Sequence, residues 1–209
     1  MIIKNYDELS SLELDTLKEI GSIGTGNAAT SLSALIGIPV RIQMPEVRIM
    51  GYNEAIEWIG GPEEITAGVL VGMDGQISGI MLSVQQLEFV NLVLESMLGK
   101  TVKDYVELQE MERSALTEVG NIMISTFINA LSGLSGIDIE LTVPAFTVDM
   151  QGAIMAVPMA EYGGQSDYIM TIGGNFICNG KEIPCRLLLS PDIRSLNFLL
   201  RKLGVDSGE

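Results

Sequence analysis

Leu17-Lys18-Glu19-Ile20-Gly21-Ser22-Ile23 and Leu116-Thr117-Glu118-Val119-Gly120-Asn121-Ile122 are one phrase written twice, 99 residues apart. The correspondence runs outward at the same offset through Asp15/Ser114, Leu32/Leu131, Ser33/Ser132, Gly37/Gly136, Ile38/Ile137 and Pro45/Pro144. A period of this length implies two copies of one supersecondary unit, here about residues 9–99 and 107–204 of a single domain. Polar residues kept in both copies call for a reason beyond packing.

The flanking segments give the fold class. Leu9, Leu12, Leu17, Ile20 and Ile23 recur at helical spacing, predicting a helix over about 10–21 and a second over 27–35, capped by Gly37. The second copy repeats this with helices over 107–125 and 126–134. Strands are predicted over 40–47, 65–73, 76–83, 138–146, 153–158, 168–176 and 182–190. Asp74-Gly75, Gly163-Gly164 and Asn179-Gly180 mark turns. Helices are predicted over 84–98 and 191–203, and Trp58, near Gly60-Gly61-Pro62, is placed at a loop edge. The expected class is α+β: an internally duplicated, pseudo-twofold, largely antiparallel sheet with long helices packed on it.

Composition removes several functions. The 209 residues carry a net charge of −15 with pI near 4.3, a surface that repels phosphate backbones and argues against nucleic-acid binding. The absence of histidine removes histidine-based triads and most transition-metal sites, so no metal ligands are assigned. Cys178 and Cys185 lie in adjacent strand-like segments and are read as reduced packing residues. No apolar run reaches the length of a membrane span and the N-terminal residues lack a signal-peptide pattern, so a cytoplasmic location is expected.

At about 100° per residue, Asp15, Glu19 and Ser22 share a stripe, as do Ser114, Glu118 and Asn121. Leu12, Ile20 and Ile23, with Met111, Val119 and Ile122, are expected to form the buried stripe, leaving the polar one in solvent. A carboxylate can dock a cation, and a carboxamide can both donate to and accept from one water. The pair suits hydrolysis of an already reactive bond, such as a phosphoryl group on a partner that brings its own metal. An ordinary solvated helix face accounts for either copy alone. Gly21-x-x-Gly24-x-Gly26 follows a helix instead of a strand, and does not fit a dinucleotide loop.

Both copies match Asp/Ser-x3-Glu-x2-Asn-x22-Pro, with Ser22 in place of Asn in the first. In this the chain resembles the CheC family of chemotaxis CheY-P phosphatases, within the wider CheC/CheX/FliY group. The resemblance implies an auxiliary phosphatase acting on phosphorylated CheY, a response regulator of two-component signalling that supplies its own Mg²⁺ and a lysine. By the same resemblance Glu118 pairs with that lysine and Asn121 places the attacking water. Glu19 and Ser22 form a weaker site, because a serine hydroxyl reaches less far than a carboxamide. Pro45 and Pro144 are expected to be structural. The resemblance also implies CheD as a second partner, near Asp149, although a turn or cap explains that aspartate as well. A non-catalytic module that regulates CheD or sequesters CheY-P remains the alternative.

Overall fold

The computed structural model describes residues 4–162 and 167–205, so the expected turn at Gly163-Gly164 lies outside the described residues. In chain order the elements are α1 (Ser11–Ile36), β1 (Val40–Gly51), α2 (Tyr52–Ile59), β2 (Ile65–Gly75), β3 (Gly79–Gln85) and α3 (Leu87–Leu98). The second copy supplies α4 (Glu110–Ser135), β4 (Ile139–Leu141), β5 (Ala145–Met150), α5 (Gln151–Tyr162), β6 (Tyr168–Cys178), β7 (Lys181–Pro191) and α6 (Ile193–Lys202). The α+β class expected from the sequence is the one observed.

The strands form one antiparallel sheet in the order β1-β6-β7-β3-β2, with β4 and β5 both paired to the outer side of β2. Each copy therefore lends its first strand to the hairpin of the other: β1 lies on β6, and β5 lies on β2. The pseudo-twofold axis passes through the β3–β7 pair at Leu82↔Leu188, whose side chains share one core and stand at equivalent positions of the two copies. It stands perpendicular to the sheet, so α1 and α4, on the same face, run antiparallel.

That face holds the larger core, where Leu17, Ile20, Ala28, Leu32, Leu116, Val119, Met123 and Phe127 pack on Val69, Val71, Met81, Ile172 and Leu187. The opposite face is covered by α2 and α5, whose Ile56, Ile59, Ile154 and Met155 meet Leu82, Val84 and Leu188. The central strand β3 is buried along its whole length, which is why it reads as an almost unbroken apolar run.

The strand expected over 138–146 is split into β4 and β5, and four further expectations change. First, α1 and α4 are each one 26-residue helix, not two. The glycines of α1 serve close packing instead of a break: a Cβ on Gly24 would lie 2.5 Å from Phe127 Cδ2. Second, α5 is helical where a strand over 153–158 was expected. Every side chain from Ala153 to Pro158 is apolar, so no period separates helix from strand, and the burial of Ile154, Met155 and Pro158 follows the helical one. Third, Trp58 belongs to α2 instead of a loop edge, with the Arg186 guanidinium 4.4 Å from its ring centroid.

Fourth, Leu12, Ile23 and Met111 are not core residues: they are 62%, 37% and 66% exposed. The inward arc of each helix is built on Leu17, Ile20, Gly21 and Gly24, or Leu116, Val119, Gly120 and Met123. At about 100° per residue Leu12 and Met111 lie within about 20° of the motif glutamates and Ile23 about 40° from Glu19, so these apolar side chains belong to the polar stripe and share its exposure.

Local capping is duplicated as faithfully as the motif. Glu13 and Glu112, equivalent and buried, close capping boxes with Ser10 and Gln109. Tyr6 and Tyr105, also equivalent, each donate a hydroxyl hydrogen bond across the fold, to the carbonyls of Pro191 and Gln85. Gly37 and Gly136 end the helices at φ 72° and 66°, the left-handed conformation of a C-cap. The prolines of the motif interrupt strand pairing: Pro45 lies in the register shift between Gln43 and Glu46, and Pro144 separates β4 from β5. Cys178 and Cys185 are free and buried; in the β6–β7 register their strand partners are Lys181 and Gly174, so they do not face each other.

Candidate active site

Gly21 and Gly120 occupy the position between the two polar residues of each motif, and both face the sheet. A Cβ on Gly120 would lie 2.6 Å from Val69 Cγ2 and 2.9 Å from Gln85 Nε2, and one on Gly21 would overlap Val47. These contacts press each helix onto a strand and fix its rotation. Glu19 and Glu118 are thereby left exposed, with Ser22 and Asn121 half-buried at the edge. Residues three apart on a helix have Cβ atoms about 5–6 Å from one another, so each Glu adjoins its own Ser or Asn.

Among the described residues, neither glutamate forms an ion pair or a side-chain hydrogen bond, and the side chains of Ser22 and Asn121 make no hydrogen bond within the chain. Both copies thus present a free carboxylate and a free polar group from a rigid helix. The helices cross near Asn27 and Thr126, where Thr126 Oγ1 donates to Ser31 Oγ at 3.0 Å. At 1.5 Å per residue, Glu19 and Glu118 stand roughly 25 Å apart along the helix direction, on either side of that crossing.

The two sites are not equivalent. In the second, Glu110, Arg113, Ser114, Thr117 and Glu118 line a shallow cleft of about 470 Å³. Arg113 is held in the wall of that cleft, its Nε donating to the Leu108 carbonyl at 3.0 Å and its guanidinium 6.0 Å from the Phe146 ring. In the first, Lys18 replaces Thr117 and pairs with Asp15 at 2.9 Å. That exposed pair adds little stability, but it sets a cation on the flank that carries Ser22. The sequence reading passed over Lys18, although its lack of a counterpart in the second copy was visible.

The second site has a further anchor that no motif indicated. Gln85, fully buried at the end of β3, donates from Nε2 to the Leu116 carbonyl at 3.0 Å, one turn before Gly120. Its own carbonyl accepts the Tyr105 hydroxyl at 3.1 Å, and burial pushes that phenol up to about 12. Nearby, the Lys100 ammonium pairs with Glu112 and holds its carboxyl below the usual range, against the opposing effect of desolvation. Both contacts steady the N-terminal half of α4.

Asp149 lies away from either motif, exposed on β5 opposite Thr66. Its Oδ1 accepts the Met150 amide at 2.7 Å, just before α5 begins.

Comparison with known proteins agrees with this layout. The CheC-like family model matches residues 12–49 and 111–148, the helix and following strand segments of each copy. A Bacillus subtilis protein named CheY-P phosphatase CheC is 23% identical over 95% of this chain and 97% of its own length. The B. subtilis flagellar motor switch phosphatase FliY is 29% identical over 68% of this chain, which spans 37% of that longer protein. The crystal structure of Thermotoga maritima FliY shares the fold at a TM-score of 0.72, with 22% identity over 96% of this chain and all of that one. The chain carries the CheC-like pattern twice, in the segments that its internal repeat relates.

Proposed function

We propose that this chain, with a CheC-like unit in each half, accelerates hydrolysis of the aspartyl phosphate on phosphorylated CheY. The observation that carries the proposal is the Glu118–Asn121 pair: one turn apart, held outward by the packing of Gly120, and without side-chain partners among the described residues. Names given to the relatives of similar length agree with it.

In this mechanism Glu118 docks against a lysine of the regulator, and Asn121 enters the partner's site. The Asn121 carboxamide oxygen accepts from a water and its NH₂ donates to the same water, aligning it behind the phosphorus. The water oxygen forms the new bond to phosphorus, the bond to the aspartyl oxygen breaks, the aspartate leaves as its carboxylate, and both water protons depart with the released phosphate. The phosphorylated substrate would bring Mg²⁺, which would neutralise charge on the phosphoryl oxygens. The protein itself forms no covalent intermediate. Glu19 and Ser22 dock a regulator without the amide and contribute less.

The lifetime of phosphorylated CheY, with and without this protein, tests the proposal. Asn121→Ala is expected to lower the acceleration by ~100-fold, in the range seen when a single positioning donor is removed. Loss of binding with no change in the bound rate would contradict the role given to Asn121. A second reading, a binding module that sequesters CheY-P or regulates CheD, draws on Ser22, where one copy lacks the amide. An unchanged lifetime when the proteins bind would favour it, and the Asp149 surface would then be the place to test for CheD.

A further inference from the structure

We infer that Met111, and Leu12 in the first copy, are apolar docking anchors that set the affinity for the phosphorylated regulator; this rests on the phosphatase reading above. Both are the second residue of their helix, occupy equivalent positions in the repeat, and are 66% and 62% exposed. The surface around them has diverged between copies: Leu14 against Arg113, Asp15 against Ser114, Lys18 against Thr117. An apolar side chain left in water at the same place in both copies is the exception to that drift.

Helix capping does not account for it. The residue that packs back over a helix start is the one before the N-cap, and here those residues are Leu9 and Leu108, both buried. Leu12 and Met111 follow the caps and point the other way. Seven residues separate each from its motif glutamate, which places it within about 20° of that carboxylate and roughly 10 Å along the helix. Ile23 and Ile122 lie one turn beyond the glutamate, about 40° from it. Ile23 is 37% exposed and Ile122 is half-buried. Each copy therefore offers a ridge of apolar, acidic, apolar side chains about 16 Å long.

The occupant follows from area. A stable interface covers about 800 Å² per partner, a patch of roughly 16 Å radius if circular. A domain centred on Glu118 cannot avoid Met111. The matching surface on the regulator is a lysine with apolar side chains beside it, so that the ion pair forms at the centre of a patch from which water is excluded. The carboxylate supplies orientation and Met111 supplies apolar contact, in keeping with the few buried anchors that dominate such interfaces.

The test is steady-state dephosphorylation of phosphorylated CheY by the full chain carrying Met111→Ser. KM is expected to rise about fivefold or more, the loss of one partly buried anchor, while kcat at saturation is unchanged. Met111→Leu should restore KM, and the melting temperature should not move because the side chain is exposed. Leu12→Ser should change KM less than twofold. Wild-type KM in Met111→Ser, with the wild-type chain active, would overturn this inference and leave the phosphatase reading standing. A chain that dimerises through this surface, dispersed by Met111→Ser without a change in KM, would overturn it as well. No acceleration by the wild-type chain would overturn both.

Discussion

Replacing Gly120 with alanine separates two effects usually confounded, helix propensity and fit against the sheet. Alanine is favoured over glycine inside a helix by about 1 kcal/mol. Here the added Cβ would lie 2.6 and 2.7 Å from Val69 Cγ2 and Cβ and 2.9 Å from Gln85 Nε2. Ordinary carbon contacts begin near ~3.5 Å, so α4 must lift by roughly 1 Å. Val69 sits in the central part of β2 and has little room to yield. Overpacking of this kind costs about 1–3 kcal/mol, and lifting the helix also weakens the Gln85–Leu116 hydrogen bond, worth about 1 kcal/mol. The balance is a destabilisation of about 1–3 kcal/mol, or roughly 3–10 °C in Tm for a chain of this size. Activity should fall further, because a displacement of about 1 Å at a positioning residue costs on the order of 100-fold. Gly21→Ala is the control: its Cβ overlaps Val47, so stability should fall similarly while turnover changes little. The assays are thermal unfolding and the lifetime of phosphorylated CheY. A Gly120→Ala protein with wild-type activity, or equal activity losses in the two variants, would refute the argument that this glycine aims the second site.

Ser22→Asn should raise activity by up to about twofold, since it restores the amide on an existing helix face; adding Lys18→Thr, to remove the flanking cation, should help further, and dephosphorylation rates check both. Lys100→Met should lower the melting temperature at pH 7, where Glu112 is ionised and paired. The Glu112 carboxyl is held below its ordinary value, so this stability is present above the unfolded pKa of about 4.3 and is lost as pH falls through the folded value. The difference in melting temperature between variant and wild type should therefore persist down to the unfolded pKa and disappear only as pH falls through the lower, folded value. Finally, burial pushes the Cys185 thiol up to about 12 and raises that of Cys178, so neither should react with a thiol reagent at pH 8 until the chain is denatured.

The repeat made the fold class and the glutamate–amide pairs legible, because both depend on spacing within short segments. What spacing cannot carry is partnership between distant segments. Nothing local in Val40–Gly51 states that its neighbour is Tyr168–Cys178 instead of its own hairpin. Ala153–Pro158 defeated periodicity because it is apolar at each position, and only the two-sided burial of the sheet decides for a helix. Gly21, Gly24 and Gly120 look like interruptions in a propensity reading, yet in three dimensions they are the points where α1 and α4 come nearest their neighbours. Gln85 was invisible for a related reason: its role exists only when the end of β3 meets the carbonyl of Leu116. The exposure of Leu12 and Met111, by contrast, follows from spacing alone, since each lies seven residues from an exposed glutamate.

The exchange of first strands between copies also sets a timetable for synthesis. When the ribosome has delivered only the first repeat, β1 has no neighbour, since its partner β6 lies more than a hundred residues downstream. The outer side of β2 is likewise bare until β5 arrives. With β3 also waiting for β7, a nascent half-chain exposes three unsatisfied strand edges, the surfaces on which chains stick to one another. Such long-range pairing also slows the final closure of the sheet. A translational pause or premature stop near the junction of the copies should yield insoluble material, while the two halves made together should recover one another as a single soluble complex.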